Sequence, residues 1–218
     1  MAKELAIILN SGSLNSAVVT ALAVQKYRPI MLHFDALGRN GPRLRVAYDQ
    51  QVAHFKPYRE HTLAMPFLST FEPTSKTPTG VADPRQQAAV APTVLQLLPL
   101  VAAAVRFAAH YQAAAIFIGL RVGSESDGLA QASEYVQIWN EMINQPLAHP
   151  DLEVQAPLLE LEPWQVIDIG VNTSAPLERG WSCLEDADQP CGTCRGCRVR
   201  ELAFQQSGKA DPAIPLRK

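Results

Sequence analysis

All four cysteines of the chain fall in one stretch near its C-terminal end: Cys183, Cys191, Cys194 and Cys197, spaced C-x7-C-x2-C-x2-C. This cluster constrains the fold more than any other feature, because the chain must bring four thiols to one point. Zinc takes four soft ligands in a tetrahedron, and C-x2-C spacing lets two thiolates grip one ion from a single turn. Gly192 and Gly196 relax the backbone between ligands, and Arg195, Arg198 and Arg200 offset thiolate charge. Four protein ligands leave no open coordination position, so the spacing predicts a structural zinc site. An iron–sulfur site, or buried or redox cysteines without metal, are the competing readings. In a reducing compartment clustered cysteines point to metal rather than disulfides.

The other end of the chain carries a second constraint. Leu5 to Leu9 is a continuous apolar run, ended by Ser11-Gly12-Ser13-Leu14-Asn15-Ser16 and followed by Ala17 to Val24 at helical period. Buried strand, tight polar loop and helix in that order make the first half of a βαβ unit. Further strands are expected at Ile30 to Phe34 (closing in Asp35), Glu60 to Ala64, Ala115 to Gly119 and Glu153 to Ala156. Helices are expected at Arg43 to Phe55, Val94 to Tyr111 with a kink or restart at Pro99, Glu134 to Ile143, and Pro163 to Ile169 with Gly170 as its stop. Pro66 to Pro92 reads as a long loop, and the segment from Lys209 as a loose tail. The alternation predicts an α/β fold: a doubly wound, mostly parallel sheet with a small C-terminal zinc-binding module. The division expected is residues 1–175 for a nucleotide-binding domain and 176–218 for the zinc module and tail.

In such sheets ligands sit at the carboxyl ends of the strands. Backbone N–H groups of a Ser/Gly loop entering a helix attract anions, so Ser11, Gly12, Ser13 and Ser16 are candidates for phosphate; an ordinary capped turn is the alternative. Asp35, at a strand end, is a candidate for ribose or adenine, or a plain turn residue. Ser124 to Asp127 follow the Gly119 strand and are a further candidate. Net charge is −2, which argues against a dedicated nucleic-acid binder. The apolar stretch Ala88 to Ala109 is interrupted by Pro92, Gln96, Pro99 and Arg106, which predicts a buried helix rather than a membrane span. Leu5 to Leu9 is too short for a secretory core, so the chain is expected in the cytoplasm. His33, Trp139 and Trp164 read as core; His54, His61, His110 and His149, and the acidic Glu185, Asp186 and Asp188, read as solvated surface.

The loop and the cysteine module together resemble the 7-cyano-7-deazaguanine synthase (QueC/ExsB) family of PP-loop ATP pyrophosphatases, whose fold is adenine nucleotide alpha-hydrolase-like. The family loop S-G-G-x-D-S is matched by Ser11-Gly12-Ser13-Leu14-Asn15-Ser16. The family zinc region W-S-C, then C-G-x-C-x-x-C-x-x-R-x-x-A-F, is matched by Trp181-Ser182-Cys183 and the run from Cys191 to Phe204. The resemblance implies an ATP-dependent ligase that converts a 7-carboxy-7-deazaguanine and ammonia to the nitrile, on the route to queuosine. It also implies structural zinc, ATP with magnesium, a purine-like substrate, and a homodimer. Asn15 joins Ser11, Gly12, Ser13, Ser16 and Asp35 in the implied nucleotide site.

The departures from the family pattern are several. Ser13 replaces the second loop glycine, where a Cβ at positive φ is expected to crowd phosphate. Asn15 replaces an aspartate able to act through magnesium. Ala36-Leu37-Gly38-Arg39 stands for Y-G-Q-R, Pro92-Thr93-Val94-Leu95 for P-x-R-N, and Leu129-Ala130-Gln131-Ala132 for Y-P-D-C. Pro163 stands where the family has a lysine, removing a cationic phosphate contact. Three readings follow: a synthase that tolerates these changes, a repurposed relative binding a nucleotide or purine-like ligand, and a non-catalytic subunit that binds a protein partner.

Overall fold

Strands and helices alternate along the chain, and the hydrophobic pattern explains why. A computed structural model describes residues 3–35, 38–71, 90–123, 128–147 and 152–213. The elements are β1 (Leu5–Leu9), α1 (Leu14–Lys26), β2 (Arg28–Asp35), α2 (Gly41–Phe55), β3 (Arg59–Ala64), α3 (Val90–Tyr111), β4 (Ala115–Phe117), α4 (Leu129–Leu147), β5 (Glu153–Gln155), α5 (Pro163–Asn172) and α6 (Arg195–Gln206). All the pairings are parallel, in the order β3-β2-β1-β4-β5.

The near-continuous apolar strands are buried on both faces, as parallel sheets with helices on each side require. Alternation sorts their side chains. Ile7, Leu9, Ile30, Leu32 and Ile116 face α3 and α4, which contribute Val101, Ala104, Ala108, Trp139 and Ile143. Ala6, Ile8, Met31, Ala115 and Phe117 face the other helices, which contribute Val18, Val19, Tyr48, Val166, Ile167, Ala203 and Phe204. Each fully buried Ile or Leu contributes about 1.5–3 kcal/mol. The chain leaves β1 toward β2 on one side and returns as β4 on the other. The carboxyl end of β1 is therefore the switch point, where open α/β sheets form a crevice.

Several sequence expectations are corrected. Helix α3 starts at Val90 and runs through Pro99 without interruption. Its Val94–Tyr111 stretch is long and apolar enough to cross a membrane by length and composition, yet Val101, Ala104 and Ala108 pack on the sheet. Gly170 does not stop α5, which continues to Asn172. A Cβ there would lie 2.7 Å from Leu177 Cδ2 and 3.0 Å from Val18 Cγ2, so close helix packing accounts for this glycine. Pro163 does occupy the helix start, with a capping box between Glu162 and Gln165. Trp139 is core, whereas Trp164 is exposed. His61 is half-buried, 2.8 Å from the Tyr111 hydroxyl. Pro66–Phe71 forms a 3-10 turn. The candidates Ala36, Leu37, Ser124 to Asp127 and His149 lie outside the described residues.

The segment from Lys209 is tied down at Lys209 and Asp211, its charged positions among the described residues. Lys209 pairs with Asp168 of α5. Asp211 receives Arg200 Nε at 2.6 Å and Nη2 at 2.7 Å, with both side chains over nine-tenths buried. Asp211→Ala should destabilise the chain by about 3–5 kcal/mol, because it strands a buried guanidinium; urea melts measure this, and a loss near zero would refute the buried latch.

His33 packs on the Tyr48 ring, with centroids 4.7 Å apart, and its Nδ1 lies 3.1 Å from the Asn10 carbonyl oxygen. Burial lowers its proton affinity below that of a free imidazole, against the hydrogen bond to Asn10. The unfolded chain then binds the proton first. The stabilisation is complete above the unfolded pKa of about 6.5 and is lost as pH falls through the lower folded value. The melting temperature should drop on acidification below that point, less steeply in His33→Gln. An equally steep decline in that variant would place the cause elsewhere, His61 being the nearest alternative by direction of shift.

Candidate functional site

The β1–α1 loop is shaped first by Gly12. Its φ is +85°, and a Cβ would sit 2.0 Å from the Leu44 carbonyl oxygen of α2. Only glycine fits that approach. Ser13, expected in the strained position, has φ −74° and ψ 168° and caps α1 by accepting from Ser16 N at 3.2 Å. The left-handed residue is therefore Gly12, and the Ser13 side chain enters at no backbone cost.

Asn10 and Gln51 hold the loop from behind. Asn10 Oδ1 accepts from Gly12 N at 2.8 Å, and its Nδ2 donates to Thr20 Oγ1 and to Gln51 Oε1 at 3.1 and 2.9 Å. Gln51 Nε2 donates to the carbonyls of Gly12 and Arg179, each at 3.1 Å. Ser16 is buried, and its hydroxyl joins those of Ser11 and Ser13, each at 3.1 Å. Asn15 Nδ2 lies 3.4 Å from the Gly119 carbonyl oxygen, across the switch point. An amide can donate there and a carboxylate cannot.

The cysteine module docks directly on this loop. Trp181 N donates to the Gly12 carbonyl at 3.0 Å, and Ser13 and Trp181 form a parallel bridge. The four sulfurs converge as the spacing predicts, all within 4.8 Å of one another. Cys194 and Cys183 are 3.9 Å apart at sulfur, and Cys191 and Cys197 are 4.0 Å apart. A single tetrahedral ion with metal–sulfur bonds of ~2.3 Å requires sulfur separations of about 3.8 Å. The residues thus fit one metal ion. Backbone N–H groups of Leu184, Glu185, Cys191 and Cys194 each point at a sulfur at 3.4 Å. Gly196 lets the turn close, since a Cβ would lie 1.8 Å from the Ser182 carbonyl oxygen. Asp186 and Asp188 are exposed, as expected, and pair with Arg43 of α2, while the less exposed Glu185 meets Arg39 at 2.6 Å. Asn40 donates to the Cys183 carbonyl at 3.0 Å.

Between loop and module lies a cleft of about 290 Å³. Its lining includes the polar Ser11, Ser13 and Asn15 of the loop, Trp181 and Ser182 before the cysteines, Pro163, and Arg121, Arg195 and Arg200, with apolar side chains such as Leu44 and Ile167 between them. Gly12 and Ser16 are framework behind the lining. Asp35 ends β2, where its carbonyl accepts from Met65 N at 2.7 Å; it is not among the described lining residues. Arg121 went unnoticed in the sequence, since only the sheet order brings the end of β4 beside the β1 loop. Arg195, read as a charge offset for thiolates, also lines the cleft.

Burial pushes the Cys183 and Cys197 thiols up. Cys191 is held at about 6, because N–H donors from Cys194 and Thr193 and the Thr193 hydroxyl outweigh its burial. A metal must therefore displace protons from Cys183 and Cys197. Zinc added to metal-free protein should release protons, and retention against a chelator should weaken as pH falls. Cys194→Ser should lose the metal and melt at lower temperature. Unchanged metal content and melting in that variant would refute a structural metal.

Comparison with known proteins follows the same lines. The family profile described as "Queuosine biosynthesis protein QueC" matches residues 5–208. A 7-cyano-7-deazaguanine synthase from Chloroherpeton thalassium is 29% identical over 216 residues, covering 95% of each chain. Among solved structures, NMN synthetase from Francisella tularensis has a TM-score of 0.50 at 16% identity, covering 96% of this chain and 79% of that one. A tRNA thiolase from Methanococcus maripaludis, with its 4Fe-4S cluster, has a TM-score of 0.50 at 10% identity, covering 94% of this chain and 66% of that one. At these identities the two structures show the fold alone.

Proposed function

The chain belongs to the queuosine biosynthesis protein QueC family, and from that premise we propose that its switch-point cleft binds ATP and a purine-like acid for a reaction of the 7-cyano-7-deazaguanine synthase type. One observation carries this reading: the polar β1–α1 loop opens onto a cationic cleft at the carboxyl end of the sheet, closed on its far side by the cysteine module. In that reading Ser11, Ser13 and Asn15 touch the nucleotide, Gly12 and Ser16 shape the loop, and Asp35 reaches the adenosine end. Residues 1–175 form the nucleotide-binding part and 176–218 the metal module.

The metal is zinc. Sulfur separations near 4 Å suit a single ion rather than a larger cluster held between the thiolates. When bound, zinc supplies folding free energy to the wall of the cleft. The chain acts as a homodimer. Its α3 and α4 cover the same sheet face and leave Leu95, Leu98, Ile138 and Met142 exposed, which supports a contact with a second copy.

A second reading, a relative with altered ligation chemistry, is favoured by Asn15 and Pro163. Both line the cleft as neutral groups where family members carry an acid and a lysine.

Purified, zinc-loaded protein given ATP, magnesium, ammonia and 7-carboxy-7-deazaguanine should form the nitrile, detected by mass spectrometry, and Gly12→Val should abolish it. ATP binding by calorimetry without product across pH and metals would favour the second reading. No ATP binding at millimolar concentration would refute both.

A further inference from the structure

Every charged side chain among the described residues lining the cleft is an arginine: Arg121 beyond β4, Arg195 at the start of α6, and Arg200. Arg200 is turned inward, donating to the Gly180 and Leu177 carbonyls at 2.6 and 2.9 Å besides its bonds to Asp211. Arg121 and Arg195 line the cleft as well, Arg121 with its Nη1 3.4 Å from the Leu161 carbonyl oxygen. These two come from separate parts of the fold, and both line the cleft with Ser11, Ser13 and Asn15.

Arg121 is held down by burial, supported by Glu162, and held down again by the charge of Arg195, so the two guanidiniums act on each other. Like charges near each other repel, and an anion bound between them relieves that repulsion. No carboxylate is among the described lining residues, so none of them offers a ligand for a divalent cation. Trp181, in the same lining, has a buried indole N–H with no hydrogen-bond partner.

Guanidinium forks match the geometry of phosphoryl oxygens and stay charged at any working pH. Resting on the nucleotide reading above, we propose that Arg121 and Arg195 form a two-guanidinium subsite for the polyphosphate of the nucleotide, supplying its countercharge without a protein-held magnesium. The arginines come from positions outside the β1–α1 loop and outside Pro163. The loop shapes the site, and the end of β4 and the start of α6 charge it.

Calorimetric titration of the full-length, zinc-loaded chain tests this with three probes: ATP, inorganic pyrophosphate and adenosine, each with and without magnesium. ATP and pyrophosphate should bind without magnesium, and more weakly as salt is added. Arg121→Gln and Arg195→Gln should each weaken both by about tenfold or more and leave adenosine unchanged. Melting temperature and zinc content establish that each variant is folded. Where a Gln variant does not fold, the Lys variant decides: it keeps the charge, loses the fork, and should bind pyrophosphate more weakly than the parent.

ATP binding that neither substitution weakens overturns the subsite and leaves the nucleotide reading standing. Arginine-dependent pyrophosphate binding, with ATP binding absent, supports the anion subsite and overturns the nucleotide reading. Absence of ATP and pyrophosphate binding to the folded parent overturns both. A strict requirement for magnesium overturns the countercharge assignment.

Discussion

The Gly12 carbonyl joins distant parts of the chain. It accepts Trp181 N at 3.0 Å and Gln51 Nε2 at 3.1 Å, while the Gly12 amide is held by Asn10. The loop after β1, the face of α2 and the approach to the cysteine module thus meet at one residue that has no side chain. Add a Cβ and it strikes the α2 backbone at 2.0 Å. The cleft exists because this junction fixes its two walls relative to each other.

The metal module is part of the site for the same reason. Four thiols in one turn do not fold a wall by themselves, because burial of bare thiolates is unfavourable. With a cation the thiolates are balanced, and the surrounding N–H groups have sulfur acceptors. The module is then fixed to the loop through Trp181, to Arg39 and Asn40 just before α2, and to Arg43 within it. The buried Arg200–Asp211 pair fastens the chain beyond α6 to the turn carrying Leu177 and Gly180. A structural metal can therefore govern a cleft it does not enter.

The substitutions in the family motifs take on physical meaning in this setting. Ser13 is an unstrained helix cap, and its hydroxyl belongs to a cluster with Ser11 and Ser16. Asn15 uses its amide toward Gly119. Pro163 starts α5 and leaves the cleft without a cation at that position, while Arg121 and Arg195 line it from elsewhere.

The sequence by itself determined the strand–loop–helix start, the parallel α/β order and the convergence of Cys183, Cys191, Cys194 and Cys197. Each rests on local periodicity or on short spacing, which a chain carries in its own covalent order. It also singled out the loop residues, because a Ser/Gly run between a buried strand and a helix is a local pattern. Only the tertiary structure decided that Gly12 rather than Ser13 takes the left-handed conformation, that Gly170 lies within α5, and that Asp211 is buried. The same is true of Arg121, Gln51 and Arg195, which meet the loop through the order β3-β2-β1-β4-β5 and the docking of the module. Contacts between residues far apart in sequence depend on which strands neighbour each other, and no local pattern encodes that choice.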